Sequence, residues 1–353
     1  MTDPTMTDPL ARLRPGPLDI HTHITPGSFL SRLASGPRAG FGLEERDGKR
    51  FLVFGGKTMR APVLPGMDSM EIRFRTMEEQ GVAAQLVAPW VALSAYHLPE
   101  ADGVWFAEEL NRAIADAVRE HSDRLIGIGT VPLQSPEKAV EMLRWVVRDL
   151  GLLGVQIKPS VSDSVFLDDP RLEPFWAEAE ALGAFVSIHP SLGGSGGEFE
   201  RYYLNNLIHN PLETTVGAAH LIFGGVMERH PGLKILLVHG GGFLQYDIGR
   251  LRRGRLVRPE TQVSMTGSVE ESAARFFYDT VTHSASLLRY LVGEAGARRV
   301  LLGSDFPVDM ADPMPVATVK EAQLSPEDEA MVLRQSAHRL FMDAVVSRSA
   351  TTY

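Results

Sequence analysis

The segment Leu18-Asp19-Ile20-His21-Thr22-His23 places two potential metal ligands directly after an apolar, β-type run near the start of the chain. Side chains alternate along a strand, so His21 and His23 can point to the same face. Three later segments repeat the arrangement of an apolar run that ends at a histidine or an aspartate: residues 184–189, 234–239 and 300–305, which end at His189, His239 and Asp305. Four such segments, spread along the chain, predict a barrel whose strands all end at one metal site.

Apolar runs alternate with amphipathic stretches along most of the chain, which predicts a series of β-then-α units. The predicted strands cover residues 17–21, 82–89, 125–131, 154–158, 184–189, 234–239, 276–281 and 300–304. The predicted helices lie near 68–80, 104–121, 136–149, 171–182, 211–229, 243–254, 285–295 and 325–345. Near-continuous apolar strands are typical of parallel strands covered on both faces. We therefore expect an α/β fold, a (β/α)8 TIM barrel with its functional groups at the carboxyl ends of the strands. A doubly wound sheet is the structural alternative, because it shows the same alternation.

The domain organisation follows from this pattern. Residues 17–345 are expected to form one metal-dependent barrel domain, preceded by a disordered leader over 1–16 and followed by a C-terminal tail over 346–353. An insertion at about 26–67, rich in Gly and Arg, separates the first strand from its helix, and residues 50–57 within it indicate a small β-hairpin. Long loops on the active-site face of a barrel are usually functional. Arg60, just after the glycine turn, is therefore expected to overhang the metal.

Composition excludes several classes of protein. At 353 residues, with 44% hydrophobic and 22% charged residues, the chain has the composition of a globular protein and the length of one α/β barrel. Its net charge of −9 argues against nucleic acid or an anionic membrane as a partner. The absence of cysteine excludes disulfides and zinc–thiolate sites. There is no membrane-length apolar run and no signal-peptide pattern, so we expect a cytoplasmic protein.

The strand-end residues form a recognisable ligand set. His21, His23 and His189 with Asp305 offer three imidazoles and one carboxylate, which suits a catalytic Zn²⁺ that keeps a position for water. The same set would hold Fe²⁺, Co²⁺ or Mn²⁺, so another divalent metal remains an alternative. An isolated His-x-His pair is usually a pair of surface or capping histidines, but that interpretation does not explain four strand ends.

Three further residues at strand ends are candidates for other roles. His239 precedes Gly240-Gly241-Gly242, and we interpret it as a general base for metal-activated water, since histidine titrates near neutrality. A further metal ligand or a buried histidine bonded to a backbone carbonyl are its alternatives. Lys158 ends the fourth strand and is interpreted as a substrate-contacting cation, with a carboxylated lysine bridging two metals or a solvated strand end as alternatives. His283 follows the seventh strand, and the sequence does not decide whether it lines the pocket.

These segments resemble the amidohydrolase superfamily and, within it, the 2-amino-3-carboxymuconate 6-semialdehyde decarboxylase family, from about residue 17 to 345. The resemblance is carried by residues 21–26, 59–63, 131–134, 154–157, 188–190, 239–242, 249–250 and 302–307. It implies a (β/α)8 barrel that binds one Zn²⁺ and removes CO2 without oxygen or an organic cofactor. The related resorcylate decarboxylases have Glu where this chain has His21, so His-x-His favours the semialdehyde branch.

The resemblance also implies roles for individual residues. His21, His23, His189 and Asp305 match the family's metal ligands, and His239 matches its acid/base histidine. Arg60 matches an arginine that grips a substrate carboxylate. Arg250 matches one that reaches the neighbouring active site across a homodimer interface, although a helix-surface salt bridge is its alternative. Lys158 departs from the family pattern, which has a small residue there.

We therefore expect a metal-dependent, non-oxidative decarboxylase, a carbon–carbon lyase of aromatic catabolism. Its substrate would be an amino- or hydroxy-carboxymuconate semialdehyde or a related unsaturated or aromatic acid. His239 and Asp305 would be the catalytic residues, with Asp305 passing a proton besides holding the metal, and Arg60, Arg250 and Lys158 would bind substrate. The enzymatic alternative is a metal-dependent hydrolase or hydratase acting on a lactone, an amide or a conjugated double bond. A binding or structural barrel is the alternative from another class.

Overall fold

A computed structural model describes residues 10–190 and 197–342 of the chain. Its strands are β1 (Leu18–Ile24), β2 (Gly42–Arg46), β3 (Lys49–Phe54), β4 (Lys57–Thr58), β5 (Ala84–Pro89), β6 (Leu125–Gly127), β7 (Gly129–Thr130), β8 (Gly154–Ile157), β9 (Ser160–Ser162), β10 (Val165–Phe166), β11 (Phe185–Ile188), β12 (Lys234–Leu237), β13 (Phe277–Asp279) and β14 (Val300–Leu301).

The α-helices alternate with the barrel strands as the amphipathic pattern predicts. They are α1 (Gly27–Ala34), α2 (Pro65–Asp68), α3 (Met70–Gln80), α4 (Glu100–Glu120), α5 (Pro136–Arg148), α6 (Glu173–Ala181), α7 (Asn210–Phe223), α8 (Val226–Arg229), α9 (Leu244–Val257), α10 (Val269–Ala273), α11 (Ala285–Ala295), α12 (Pro315–Glu321) and α13 (Pro326–Ala330). The chain also contains two π-helical turns, Asn205–His209 and Met331–Gln335. A further helical stretch covers residues 336–342. Within the described ranges, no helix is both long and apolar enough to cross a membrane.

The parallel strands close into a barrel. Their order is β1-β5-β6 and β7-β8-β11-β12-β13-β14, and β6 and β7 are two parts of one barrel strand, since the Ile128 N–H between them donates to the carbonyl of Val87 (3.0 Å). The last strand returns to the first through backbone hydrogen bonds: Ile20 N to Leu302 O (2.8 Å), Asp305 N to His21 O (2.8 Å) and His23 N to Phe306 O (2.7 Å). The predicted (β/α)8 barrel is confirmed, because a doubly wound sheet would leave these edges open.

A bulge in β1 sets the direction of the first two histidines. The register with β5 pairs Asp19 with Gln85 but Thr22 with Val87, so β1 has one residue more than its partner over this stretch. Leu18 and Ile20 join a buried cluster with alternate residues of other strands, including Leu86 and Leu236, which identifies the barrel interior. His21 and His23 nevertheless also point inward, because the extra residue shifts the alternation by one.

The N-terminal segment plugs the base of the barrel. Leu10 and Leu13 are 2% and 6% exposed and pack in the inner cluster with Phe341, and the Arg14 N–H donates to the carbonyl of Asp123 (2.9 Å). The predicted disorder over 1–16 is therefore wrong for residues 10–16, where apolar side chains fill the end of the barrel. Residues 1–9 and the predicted tail at 346–353 lie outside the described residues.

The insertion after β1 contains the predicted hairpin, a third short strand and a helix. Strands β2, β3 and β4 form an antiparallel sheet in which Gly42 pairs with Val53 and Arg46 with Lys49. Helix α1 precedes this sheet, and the sequence pattern does not predict it. Phe29 and Leu30 of α1 and Leu52 of β3 are buried in the main core, so the insertion is anchored to the barrel.

Candidate metal centre

Four imidazoles converge on one carboxylate at the carboxyl ends of the strands. Oδ1 of Asp305 lies 2.9 Å from Nε2 of His23, 3.3 Å from Nε2 of His21 and 3.8 Å from Nε2 of His189. Its Oδ2 lies 3.3 Å from Nε2 of His239. The potential ligand atoms of His21, His189, His239 and Asp305 all lie within 4.8 Å of one another. The structure thus brings together all five residues that the strand ends predict.

The donor set fits a divalent metal ion. Nε2 of His21 and Nε2 of His189 are buried and have no hydrogen-bond partner within the described structure. Leaving a buried polar atom unpaired is costly, by about 1–3 kcal/mol. A cation among these nitrogens and the Asp305 carboxylate would satisfy them, and imidazole with carboxylate is a common ligand combination for catalytic metals. The cluster is therefore a metal-binding site.

Burial keeps most of these imidazoles neutral, which is the form that binds a metal. It lowers the pKa of His189 to about 4. Burial likewise lowers the pKa of His21 and of His23, although the nearby Asp305 carboxylate works in the opposite direction. The pKa of Asp305 lies well below its usual range, because the surrounding histidines outweigh the effect of burial.

His239 differs from the other imidazoles in its electrostatics. Burial lowers its pKa, but the hydrogen bond to Asp305 and the charges of Asp305 and Asp279 outweigh burial, and the pKa is raised overall. A histidine that holds a proton more firmly than its neighbours is suited to proton transfer rather than only to ligation.

Asp279 supports the cluster from behind. Its carboxylate lies 2.6 Å from Nδ1 of His21 and accepts from the backbone N–H groups of His239 (2.9 Å), Gly240 (2.7 Å) and Val281 (3.0 Å). Such a carboxylate fixes the orientation of a ligating imidazole. The site prediction omits Asp279, because this residue lies inside the predicted strand 276–281, whereas the observed strand β13 ends at it.

The backbone at the site is strained where the functional groups project. His239 and Asp305 have φ of 56° and 65°, in the left-handed region that costs free energy for residues with a side chain. Gly241, in the turn after His239, has φ of 79°, and a Cβ there would lie 2.5 Å from the Tyr278 ring. Glycine is therefore required for this turn, which holds His239 against Asp305.

A cavity of about 580 Å³ opens above the cluster. Its wall is mostly apolar, with polar groups from Tyr203, Asn206, Asn210, His283 and Asp309 besides the metal cluster. The open question on His283 is thereby answered, since it lines this cavity. A concave apolar pocket with a few convergent polar groups is typical of a small-molecule site.

The three predicted substrate-binding cations do not line this cavity within the described chain. Arg60 is exposed and directly precedes Ala61, which is part of the wall. The Lys158 ammonium lies 5.8 Å from the centre of the Tyr96 ring, and burial lowers its pKa, against the effect of Glu213 and Asp163. Arg250 is exposed on α9.

The closed barrel with a histidine and aspartate metal site at its carboxyl end defines a metal-dependent barrel enzyme. The profile of the amidohydrolase family matches residues 18–342, and the chain belongs to this family. It is 31% identical to 2-amino-3-carboxymuconate-6-semialdehyde decarboxylase of Dictyostelium discoideum, over 86% of each chain. It is 27% identical to gamma-resorcylate decarboxylase of Rhodococcus jostii, over 78% of this chain and 88% of the relative.

The fold comparison agrees with the sequence comparison. A solved structure of a 5-carboxyvanillate decarboxylase from Novosphingobium aromaticivorans, with bound manganese, superposes with a TM-score of 0.77 at 18% identity and covers 92% of this chain and 97% of that one. The resemblance to the decarboxylase family is confirmed. The protein is accordingly a metal-dependent carbon–carbon lyase, a carboxy-lyase.

Proposed function

We propose that this protein removes CO2, without oxidation, from an amino- or hydroxy-carboxymuconate semialdehyde or a related unsaturated or aromatic acid in aromatic catabolism. The observation that carries the proposal is the convergence of four imidazoles on Asp305 at the floor of a mostly apolar cavity. One of the two relatives is named for a carboxymuconate semialdehyde and the other for a resorcylate. The proposed substrates include both of these chemical classes. The cytoplasmic location, and the absence of nucleic-acid or membrane partners, stay predictions from composition.

His21, His23, His189 and Asp305 are the proposed ligands of one Zn²⁺ per subunit, and Mn²⁺ or another divalent metal is the alternative. When bound, such an ion supplies a Lewis acid and lowers the pKa of a water molecule. Asp279 holds the His21 ring in place for ligation, since its carboxylate lies 2.6 Å from the opposite ring nitrogen.

His239 is the proposed general base and acid. It takes a proton from the attacking water, whose hydroxide adds to one carbon of a substrate double bond, and it delivers a proton to the neighbouring carbon that bears the carboxylate. When CO2 leaves, the electron pair of the broken bond re-forms the double bond and the hydroxide departs, protonated, as water, so no oxidant or reductant is needed. Asp305, 3.3 Å from Nε2 of His239, can hold the proton in transit. The apolar wall favours the step, because a charged carboxylate becomes neutral CO2.

The experiment that tests this function is CO2 release by metal-loaded protein from carboxymuconate semialdehydes and hydroxybenzoates, run beside lactones and amides. We expect CO2 from the acids only. His239→Ala should keep its metal and lose about 10²–10⁴-fold in kcat, as expected for loss of a general base. Turnover of a lactone or an amide without release of CO2 would favour the hydrolase alternative. Full activity of His239→Ala with full metal content would show that His239 is not the general base.

We also propose a homodimer in which Arg250 reaches the neighbouring active site, with Arg60 and Lys158 as further substrate contacts. Support comes from the face of α9 that carries Arg250: Tyr246 is 84% exposed and Val257, three turns further on the same face, is 48% exposed. Large exposed apolar side chains on one face mark an interaction surface. An arginine is suited to the role, because its fork binds a carboxylate in bidentate fashion.

Mixing two inactive variants tests the dimer. In a heterodimer of Arg250→Ala and His239→Ala, one active site has both its own His239 and an Arg250 from the other subunit. If the subunits form a symmetric dimer, equal amounts should recover about a quarter of wild-type activity after subunit exchange. Recovery should be absent if Arg250 acts within its own chain. Light scattering would check the dimer independently.

A further inference from the structure

A hydrogen bond joins two exposed residues that line the cavity. The Tyr203 hydroxyl lies 3.2 Å from both carboxylate oxygens of Asp309 and donates to that carboxylate. Tyr203 belongs to the segment before α7, whereas Asp309 follows the metal-site residue Asp305 in the chain, and both line the cavity. Both mouth residues are exposed, but Asp305 is only 4% exposed, so the pair lies at the outer end and the metal cluster at the floor.

Tyr203 is held next to Asp309 by a strained backbone conformation, which costs conformational free energy. Tyr202 and Tyr203 have φ of 57° and 61°, an unusual conformation for aromatic residues. Two successive residues in this region need compensating contacts, and the bond to Asp309 is one of them. Strain of this kind concentrates at ligand-binding sites.

The described lining of the cavity contains an acidic side chain, Asp309, besides the carboxylate of the metal cluster. Of the described lining residues, Asp309 is the only acidic one besides Asp305, and none is an arginine or lysine. The sequence of residues 191–196, which lies outside the described ranges, contains no arginine or lysine either. A substrate that reaches from the floor to the mouth therefore meets a carboxylate at its outer end.

We propose that Asp309, positioned by Tyr203, selects substrates whose outer end carries a hydrogen-bond donor, a phenolic hydroxyl or an amino group, and rejects those with a carboxylate there. The proposal rests on the proposed decarboxylase function and narrows its substrate class. A carboxylate accepts strongly from a hydroxyl or an amine. Two like charges facing each other in a partly enclosed cavity repel, and such repulsion is an effective means of discrimination.

A matched set of 2-hydroxybenzoates tests the selection, with hydroxyl, amino, methyl or carboxylate at ring carbon 4 or 5. The readout is kcat/KM for CO2 release by the metal-loaded protein. Wild type should prefer the hydroxyl and amino compounds over the dicarboxylates by about tenfold or more, the order expected for loss of a polar contact in a specific pocket. Asp309→Asn removes the charge and should reduce that ratio to about threefold or less, with the methyl compound little changed.

Two further variants separate recognition from a structural role. Tyr203→Phe breaks the bond but keeps the charge, so it should raise KM for the donor compounds and still discriminate against the dicarboxylates. Asp116→Asn makes the same chemical change on the exposed face of α4 and should leave the ratio unchanged. Equal loss of discrimination in Tyr203→Phe and Asp309→Asn, or wild-type preference for the dicarboxylates, would overturn the selection by Asp309. Failure of wild type to release CO2 from any acid, including the carboxymuconate semialdehydes, would instead overturn the proposed function.

Discussion

At the scale of single residues, Asp279 contacts both a proposed metal ligand and the proposed base without being placed as a ligand itself. One carboxylate orients the His21 ring and holds the backbone of His239 and Gly240. The positions of a proposed ligand and of the proposed base are thereby coupled. Gly303 allows this close packing, since a Cβ there would lie 2.9 Å from the Cβ of Asp279 and 3.0 Å from that of His21.

We predict that Asp279→Asn weakens metal binding by about 10–100-fold, because an amide cannot replace every acceptor contact of the carboxylate. Competition with a chromophoric chelator measures the dissociation constant. Asp116→Asn, an exposed change of the same kind, is the control and should bind metal as wild type does. Binding by Asp279→Asn within twofold of wild type would contradict the supporting role.

The sequence predicts some residues of this site and misses others for a physical reason. His21, His23, His189, His239 and Asp305 are predictable because a polar residue type and a strand end coincide, and a barrel brings its strand ends together. Tyr203 and Asp309 are not predictable in this way. They lie in irregular segments whose conformation depends on contacts between distant parts of the chain, and no local pattern encodes that pairing.

At the scale of elements, one buried arginine secures β1. Arg73 of α3 is fully buried and donates to Thr22 Oγ1, to Gln85 Oε1 and to the backbone carbonyls of His23 and Gly66. Burial lowers its pKa to about 10, so it stays charged at neutral pH. It connects α2, α3, β1 and β5 directly behind the His-x-His segment.

We predict that Arg73→Met lowers the free energy of unfolding by about 3 kcal/mol or more, because several buried acceptors lose a charged donor. Urea denaturation of the metal-free protein measures this. Arg75→Met, an exposed position on the same helix, should change the free energy by less than about 0.5 kcal/mol. Similar values for the two variants would show that the contacts of Arg73 contribute little.

The elements themselves are predicted well where their pattern is strong. All eight barrel strands lie within a few residues of the predicted runs, because buried parallel strands are continuously apolar. Helices α1, α10 and α12 and the N-terminal plug are missed. Leu10 and Leu13 are too few to form a periodic pattern, and their burial depends on an open barrel end formed by distant strands.

At the scale of the whole molecule, the buried histidines set the response to acid. Burial lowers the pKa of His189 from 6.5 to about 4, and it lowers those of His21 and His23. Between about pH 6.5 and 4 the unfolded chain therefore binds protons that the folded chain does not, and stability falls as the pH falls through this window. Asp19 and His239 act in the opposite sense, because burial raises the pKa of Asp19 to about 7 and the neighbouring carboxylates raise that of His239.

We predict that the metal-free protein loses stability from pH 7 to pH 5, since the three histidines with a lowered pKa outnumber Asp19 and His239. The measurement is the midpoint of thermal unfolding at several pH values after removal of the metal. Bound metal should raise the midpoint more at pH 7 than at pH 5, because protons compete with the ion for the imidazoles. A constant or rising midpoint toward pH 5 would contradict the prediction.

The bulge in β1 allows the packing residues and the metal-site residues of one strand to face the barrel interior in different registers. On its amino-terminal side, Leu18 and Ile20 fit the interior layers of the barrel; on its other side, His21 and His23 serve the chemistry. The inward-facing residues are even-numbered before the bulge and odd-numbered after it. Mutations that repack the interior before the bulge therefore need not rotate the histidines after it. The scaffold and the reaction centre can therefore change independently in evolution, whereas in a regular strand with Leu18 and Ile20 inward, His21 and His23 would face outward.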